Sequence, residues 1–161
     1  MTETQREPVP RVDTSEKDTA LAFLDFARHS VVKKLDRLDE EQARRVLVPS
    51  GTSLLGLVAH LTDGERYWFG HHVGGDSRWA NVDFEGDSTK PKDEVLAAYE
   101  EAVRDSNAIL AGVELDTPVQ VLVDDQPLSV RWVVAHMTSE VARHAGHADI
   151  PREQIDGVTG R

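Results

Sequence analysis

The chain has 161 residues, and its 18 lysines and arginines against 29 aspartates and glutamates leave a formal net charge of −11. This length suits one domain, and so acidic a surface repels phosphate backbones and anionic lipid headgroups, so neither nucleic acid nor a membrane is expected as a partner. The sequence has no cysteine, which excludes disulfides, thiolate nucleophiles and sulfur-ligated metals. Any metal must therefore be held by histidines and carboxylates.

The N-terminal stretch 1–17 is polar and lacks the apolar segment of a signal peptide. A run of about 18 apolar residues, as a membrane span requires, does not occur either. We therefore expect a cytoplasmic protein.

The first half of the chain predicts two helices. Residues 1–14 resemble a flexible lead, and Thr14 or Ser15 can cap a helix predicted over 15–38. Apolar residues recur there every three or four positions, and Arg28 is the only polar member of the stripe. Thr52 or Ser53 can cap a second helix that runs to Val73 and ends at two glycines. The segment 76–91 is rich in Asp, Gly and Ser and predicts a long loop anchored by aromatic side chains.

The second half predicts two more helices. A third apolar stripe runs from Lys92 to about Gly112, and residues 113–128 fit a short strand, a hairpin or an irregular loop. Ser129 can cap a fourth helix that reaches Ile150, where Pro151 should interrupt or kink it. Together the stripes predict an all-α fold, an antiparallel four-helix bundle, with the domain spanning 15–158.

One helix carries an unusual set of polar residues on its apolar face. At about 100° per residue, Glu140, His144 and His147 fall within a sector of about 60° that faces inward. Burial of a carboxylate is costly unless a cation, hydrogen bonds or a metal compensates it. Glu140 and His144 are neighbours at i and i+4, so both can reach one divalent ion.

A third ligand should come from another helix, and His60 on the flank of the second stripe is the candidate. Ligation by two imidazoles and a carboxylate suits Zn, Fe, Ni, Mn or Co. The alternative is that these side chains are hydrogen-bonded core residues. His136 competes with His144 as the partner of Glu140, and His147 is a fourth ligand, a hydrogen-bond partner of a ligand or a packed histidine. His71 and His72 are expected at a helix end, where cations are favoured.

Several segments resemble the DinB-like superfamily, and an actinobacterial branch of it in particular. They are residues 21–26 (LAFLDF), 49–61 (PSGTSLLGLVAHL), 65–69 (ERYWF) and 131–149 (RWVVAHMTSEVARHAGHAD). The resemblance covers about residues 15–158. It implies a four-helix bundle that binds a divalent metal through one histidine of the second helix and a pair of residues on the last.

The pair is commonly His-x-x-x-His, but here it is Glu140 and His144, similar to mycothiol-dependent maleylpyruvate isomerase, which has a zinc site. The resemblance thus implies His60, Glu140 and His144 as ligands, with zinc the first choice of metal, and leaves His147 outside the ligand set. Pro151 stands where relatives usually keep an apolar helix former.

Superfamily members of known activity use low-molecular-weight thiols such as mycothiol or bacillithiol. The resemblance therefore implies a metal-dependent thiol transferase or thiol-assisted isomerase with an electrophilic second substrate. The alternative is a metal- or ligand-binding accessory protein without turnover. A homodimer is also expected, since bundles with an exposed apolar face often pair.

Overall fold

The computed structural model describes residues 6–160, and within them the predicted helices are present and strands are absent. The helices are α1 (Glu16–Val32), α2 (Glu40–Arg44), α3 (Leu54–Glu65), α4 (Lys92–Ala111) and α5 (Val130–Asp156). A π-helical segment, Arg66–Val73, continues α3, and short 3-10 turns lie at Lys33–Leu35 and Ser77–Trp79. No helix in this described part is long and apolar enough to cross a membrane.

Hydroxyl side chains start three of the four long helices, as predicted. Ser15, Ser53 and Ser129 each accept a hydrogen bond from a backbone N–H in the first turn, which satisfies a donor that has no partner inside the helix. The apolar stripes of these helices meet in a single core, so the all-α bundle is confirmed.

The four long helices run as two pairs. Arg131 binds Glu16 and Asp149 binds Lys34, so α5 is parallel to α1. Likewise, Arg66 lies 4.0 Å from Glu101, and Gly74 lies against the Ile109 side chain, so α4 is parallel to α3 and its π-helical extension. The α1/α5 pair is antiparallel to the α3/α4 pair.

This arrangement refines the predicted antiparallel bundle, because consecutive helices α3 and α4 point the same way. The connection 74–91 must therefore run back along the whole length of α3 before α4 begins. The predicted long loop is this return path, and it passes directly over His60.

The predicted end of the first helix was wrong, and one short helix was not predicted. The first helix ends at Val32 and is followed by the 3-10 turn Lys33–Leu35. It cannot reach residue 38, because Arg37 has a φ of 61°, which a right-handed helix excludes. The short helix α2 was not predicted, although Asp39 and Gln42 form a capping box at its start.

Pro151 was predicted to interrupt or kink the last helix. It does not interrupt it, because α5 continues to Asp156 and ends at Gly157 in the left-handed conformation. Proline removes one helical hydrogen-bond donor, but hydrogen bonds to the segment that follows α1 stabilise the turn after Pro151. The buried Arg152 guanidinium donates to the backbone oxygens of Lys34 (2.7 Å) and Asp36 (2.9 Å), and it also binds Asp156. These bonds compensate for the donor that proline lacks.

Two further segments, residues 113–129 and the N-terminal lead, lie outside the long helices. Residues 113–129 form an irregular hairpin with two isolated bridges, Pro118 to Ser129 and Val123 to Gln126. Of the predicted flexible lead, residues 1–5 lie outside the described residues, whereas Glu7 contacts His29 on α1 at 3.1 Å.

Candidate metal centre

The helix α5 places a carboxylate and an imidazole side by side on the edge of the bundle. Oε1 of Glu140 and Nε2 of His144 are 3.0 Å apart, and their side chains are 32% and 15% exposed. The pair is one helical turn apart, as the spacing predicted. Both side chains are therefore partly open to solvent rather than in the middle of the core.

His60 on α3 completes the cluster from the opposite helix. Its ring centroid is 4.8 Å from that of His144, in an edge-to-face arrangement. Nδ1 of His60 is 2.5 Å from the backbone oxygen of Phe84. A carbonyl oxygen only accepts hydrogen bonds, so Nδ1 carries the proton and Nε2 keeps its lone pair. Metal-binding histidines are oriented in the same way in many proteins.

The donor atoms of His60, Glu140 and His144 all lie within 4.8 Å of one another. We call these three residues the ligand cluster. The pKa of His144 is lowered, because burial disfavours its charged form and His60 lies nearby, although Glu140 opposes the shift. A neutral imidazole can donate its lone pair to a metal. Two imidazole nitrogens and a carboxylate oxygen therefore fit a divalent cation such as zinc.

The loop over His60 is attached to α3 by an unusually close contact. Gly86 has a φ of +68°, and a Cβ built there would lie 2.3 Å from the backbone carbon of Ala59. Its N–H donates to Oδ2 of Asp63, 3.1 Å away. Only glycine permits this approach, and the contact places the Phe84 carbonyl on His60.

His147 lies outside the ligand cluster, although the helical spacing predicted that it would face inward with the others. It is exposed, and its Nδ1 is 3.3 Å from Nδ1 of His144. Because Nε2 of His144 faces Glu140, His147 contacts the opposite nitrogen of that ring. Of the roles left open by the sequence, a hydrogen-bond partner of a ligand fits this position.

The other candidate histidines lie elsewhere. His136 does not contact Glu140; its ring stacks on Trp132 with centroids 5.1 Å apart and an angle of 8°. His71 and His72 lie in the last turn of the π-helical extension, so the expected helix-end position is confirmed. His72 is nevertheless buried, and its Nδ1 donates to the backbone oxygen of Val121, 2.9 Å away. Trp79 packs over Gly70 on the side of the bundle that faces α4, not at the ligand cluster.

A buried ion pair on α3, the helix that carries His60, was missed by the sequence analysis. The Arg28 guanidinium binds both oxygens of Glu65, at 2.8 and 2.6 Å, and donates to Asn107 on α4 at 2.8 Å. Glu65 is 0% exposed and Arg28 4%. Burial opposes the charge of Arg28, but the attraction of Glu65 outweighs it and raises the pKa of the arginine. The lone arginine in the apolar stripe of α1 was the available signal, since a buried arginine requires a carboxylate.

Fold and geometry together define a helical-bundle protein with a His/Glu/His cluster able to hold a metal ion. A family model, mycothiol-S-transferase, matches residues 19–157, which is most of the chain. The protein belongs to this mycothiol-S-transferase family, a metal-dependent family within the DinB-like proteins, as the sequence resemblance indicated. A comparison with curated proteins found no match.

Proposed function

We propose that this protein is a metal-dependent transferase, or a thiol-assisted isomerase, that uses mycothiol and an electrophilic small molecule as substrates. His60, Glu140 and His144 would hold the divalent metal, with zinc the first choice. The observation that carries the proposal is the convergence of these three donors from two antiparallel helices, with the Phe84 carbonyl fixing the tautomer of His60. Family membership supports the choice of thiol.

A bound divalent cation supplies positive charge that lowers the pKa of a neighbouring thiol, so that thiolate is present near neutral pH. The chain contains no cysteine, so the nucleophilic sulfur has to come from the small molecule. That sulfur forms a bond to the electrophilic carbon, whose leaving group departs with its bonding electrons, while the thiol proton passes to solvent. In an addition or an isomerisation, the electrons of a carbon–carbon double bond move instead.

The chain contributes the ligand cluster, which carries the negative charge of Glu140. His60 and His144 would each contribute an imidazole nitrogen, and Glu140 would contribute the one formal negative charge, so the site would be net positive once a divalent ion is bound. The buried Arg28–Glu65 pair fastens α1 to the end of α3, the helix that carries His60. This contact helps to hold α3 in place before substrate arrives.

The test begins with protein purified without a histidine tag and analysed by elemental mass spectrometry. We expect close to one divalent ion per chain, and His60→Ala, Glu140→Ala and His144→Ala should each lose most of it. A matched control is His29→Ala, because His29 is exposed on α1 and its ring nitrogen pairs with Glu7 of the lead. The apo forms of variants and wild type should melt at similar temperatures, since the ion stabilises only the folded state that binds it.

Turnover is then measured with mycothiol and a simple electrophile, in the presence and absence of metal. Metal-dependent conjugation above the uncatalysed rate supports the transferase. Tight metal binding without turnover by any low-molecular-weight thiol favours the non-catalytic accessory protein instead. Failure to bind Zn, Ni, Fe, Mn or Co contradicts both proposals.

A cytoplasmic location is part of the proposal, because the substrate thiol must stay reduced. The homodimer stays a prediction, and sedimentation velocity of the metal-loaded protein tests it.

A further inference from the structure

Three aromatic side chains form a cluster two helical turns along α5 from Glu140 and His144. Trp132 and His136 stack with centroids 5.1 Å apart, and Trp68 lies 4.5 Å from His136 and 5.7 Å from Trp132. We call Trp68, Trp132 and His136 the aromatic cluster. No step of the proposed reaction uses it.

The antiparallel register of α3 and α5 puts the aromatic cluster and the ligand cluster in line. His60 faces His144, and eight residues further along α3 and its π-helical extension Trp68 faces His136, eight residues earlier in α5. Eight residues of α-helix span about 12 Å. Gly64 lies midway, and a Cβ there would lie 3.5 Å from the side chain of Met137, so Met137 of α5 packs against the backbone of α3 between the two clusters.

Burial shows that the aromatic cluster is not simply part of the core. The core residues of this part of α5 are Val133, Val134 and Met137, which are at most 2% exposed, whereas Trp132 is 41% exposed. An exposed tryptophan held flat against a histidine offers an apolar ring face to solvent. Such faces, with their negative quadrupole, attract the polarised C–H groups of saturated rings as well as other aromatic rings.

We propose that the aromatic cluster binds the ring portion of the thiol substrate, and so makes the protein selective for mycothiol over simple thiols. This inference rests on the proposed function. Mycothiol joins its thiol-bearing arm to two saturated, hydroxylated rings, and the extended molecule spans on the order of 10 Å at ordinary bond lengths. It can therefore place its sulfur at the ligand cluster while its rings pack on Trp132 and Trp68.

The test compares Trp132→Ala with a matched control, Trp79→Ala. Trp79 is also partly exposed, but it packs on Gly70 and Arg66 on the side of the bundle that faces α4. Binding of S-methyl mycothiol, which keeps the rings but has no free thiol, is measured by calorimetry. We expect Trp132→Ala to weaken binding about threefold to tenfold, and Trp79→Ala to leave it unchanged, with the metal content of both variants equal to that of wild type.

Steady-state kinetics supply the second readout. Trp132→Ala should raise KM for mycothiol by a similar factor and leave KM and kcat for N-acetylcysteine, which has no rings, unchanged. His136→Phe keeps a flat ring in the stack and should bind S-methyl mycothiol normally, whereas His136→Ala should bind it more weakly.

The inference is overturned if Trp132→Ala affects both thiols equally or affects neither. If wild type shows no turnover with any thiol but binds S-methyl mycothiol through Trp132, the proposed function fails and the inference about ring binding stands. If turnover with mycothiol is metal-dependent but independent of Trp132, the inference fails and the proposed function stands.

Discussion

Gly86 provides a sensitive test of whether the return loop controls the metal centre, through the substitution Gly86→Ala. The φ of +68° makes any L-residue unfavourable at this position, by about 1–2 kcal/mol. In addition, the new Cβ would lie 2.3 Å from the backbone carbon of Ala59 and 2.6 Å from its backbone oxygen. Those atoms belong to a helix and cannot rotate away, so the loop has to lift.

A lifted loop withdraws the Phe84 carbonyl from Nδ1 of His60. Loss of such an orienting partner typically lowers metal affinity about 10- to 100-fold, which is about 1.4–2.7 kcal/mol of binding free energy. Competition titration of the apo protein with a chromophoric zinc chelator measures this change directly. Thermal denaturation of the apo forms measures the effect on folding separately.

The matched control is Gly51→Ala. Gly51 also has a positive φ, +83°, but a Cβ there would meet nothing within 4 Å. It should therefore lose about 1–2 kcal/mol of stability and keep wild-type zinc affinity. Wild-type affinity in Gly86→Ala, or an equal loss of affinity in Gly51→Ala, would refute the reasoning.

Three further predictions concern His147, the buried Arg28–Glu65 pair and the buried His72. His147→Ala should lower zinc affinity by at most about 10- to 100-fold, because His147 orients a ligand rather than binding the ion; complete loss of zinc in competition titration would place it among the ligands. Arg28→Met should lower the free energy of unfolding by about 3–5 kcal/mol in urea denaturation, because it leaves the buried Glu65 carboxylate without a partner, and adding Glu65→Leu should restore much of that loss. A double variant as unstable as the sum of the two single variants would contradict this. Burial lowers the pKa of His72 below its ordinary 6.5, although the Val121 carbonyl opposes the shift, so the unfolded chain binds more protons and stability falls as pH drops through about 6.5. His72→Gln should flatten that slope in urea titrations between about pH 5 and 7, and an unchanged slope would rule the effect out.

Much of the fold was predictable from local patterns in the chain. The three serine caps and the apolar stripes predict where the long helices begin and how they face the core, because both depend on residues within a few positions of one another. The pairing of Glu140 with His144 is equally local, since one helical turn separates them. His60 was a candidate because it lies on the flank of the second apolar stripe, but its position next to Glu140 and His144 depends on how the helices pack.

Pro151 shows where local rules failed. Proline at that position lacks a donor and predicts a break, yet the helix continues because Arg152 binds backbone oxygens of the segment that follows α1. Those oxygens are more than a hundred positions away in sequence, so no window around Pro151 contains the compensating bonds.

The amino-acid sequence by itself determined the helix content, the inward stripes, the dependence of any metal site on histidine and carboxylate, and the family. Only the tertiary structure decided that α3 and α4 run parallel, and hence that the connection 74–91 returns across His60. The carbonyl of Phe84 and the close contact of Gly86 with α3 follow from that path. A carbonyl acceptor is the same chemical group in every residue, so the sequence does not mark the one that orients a histidine; its position depends on how the helices pack.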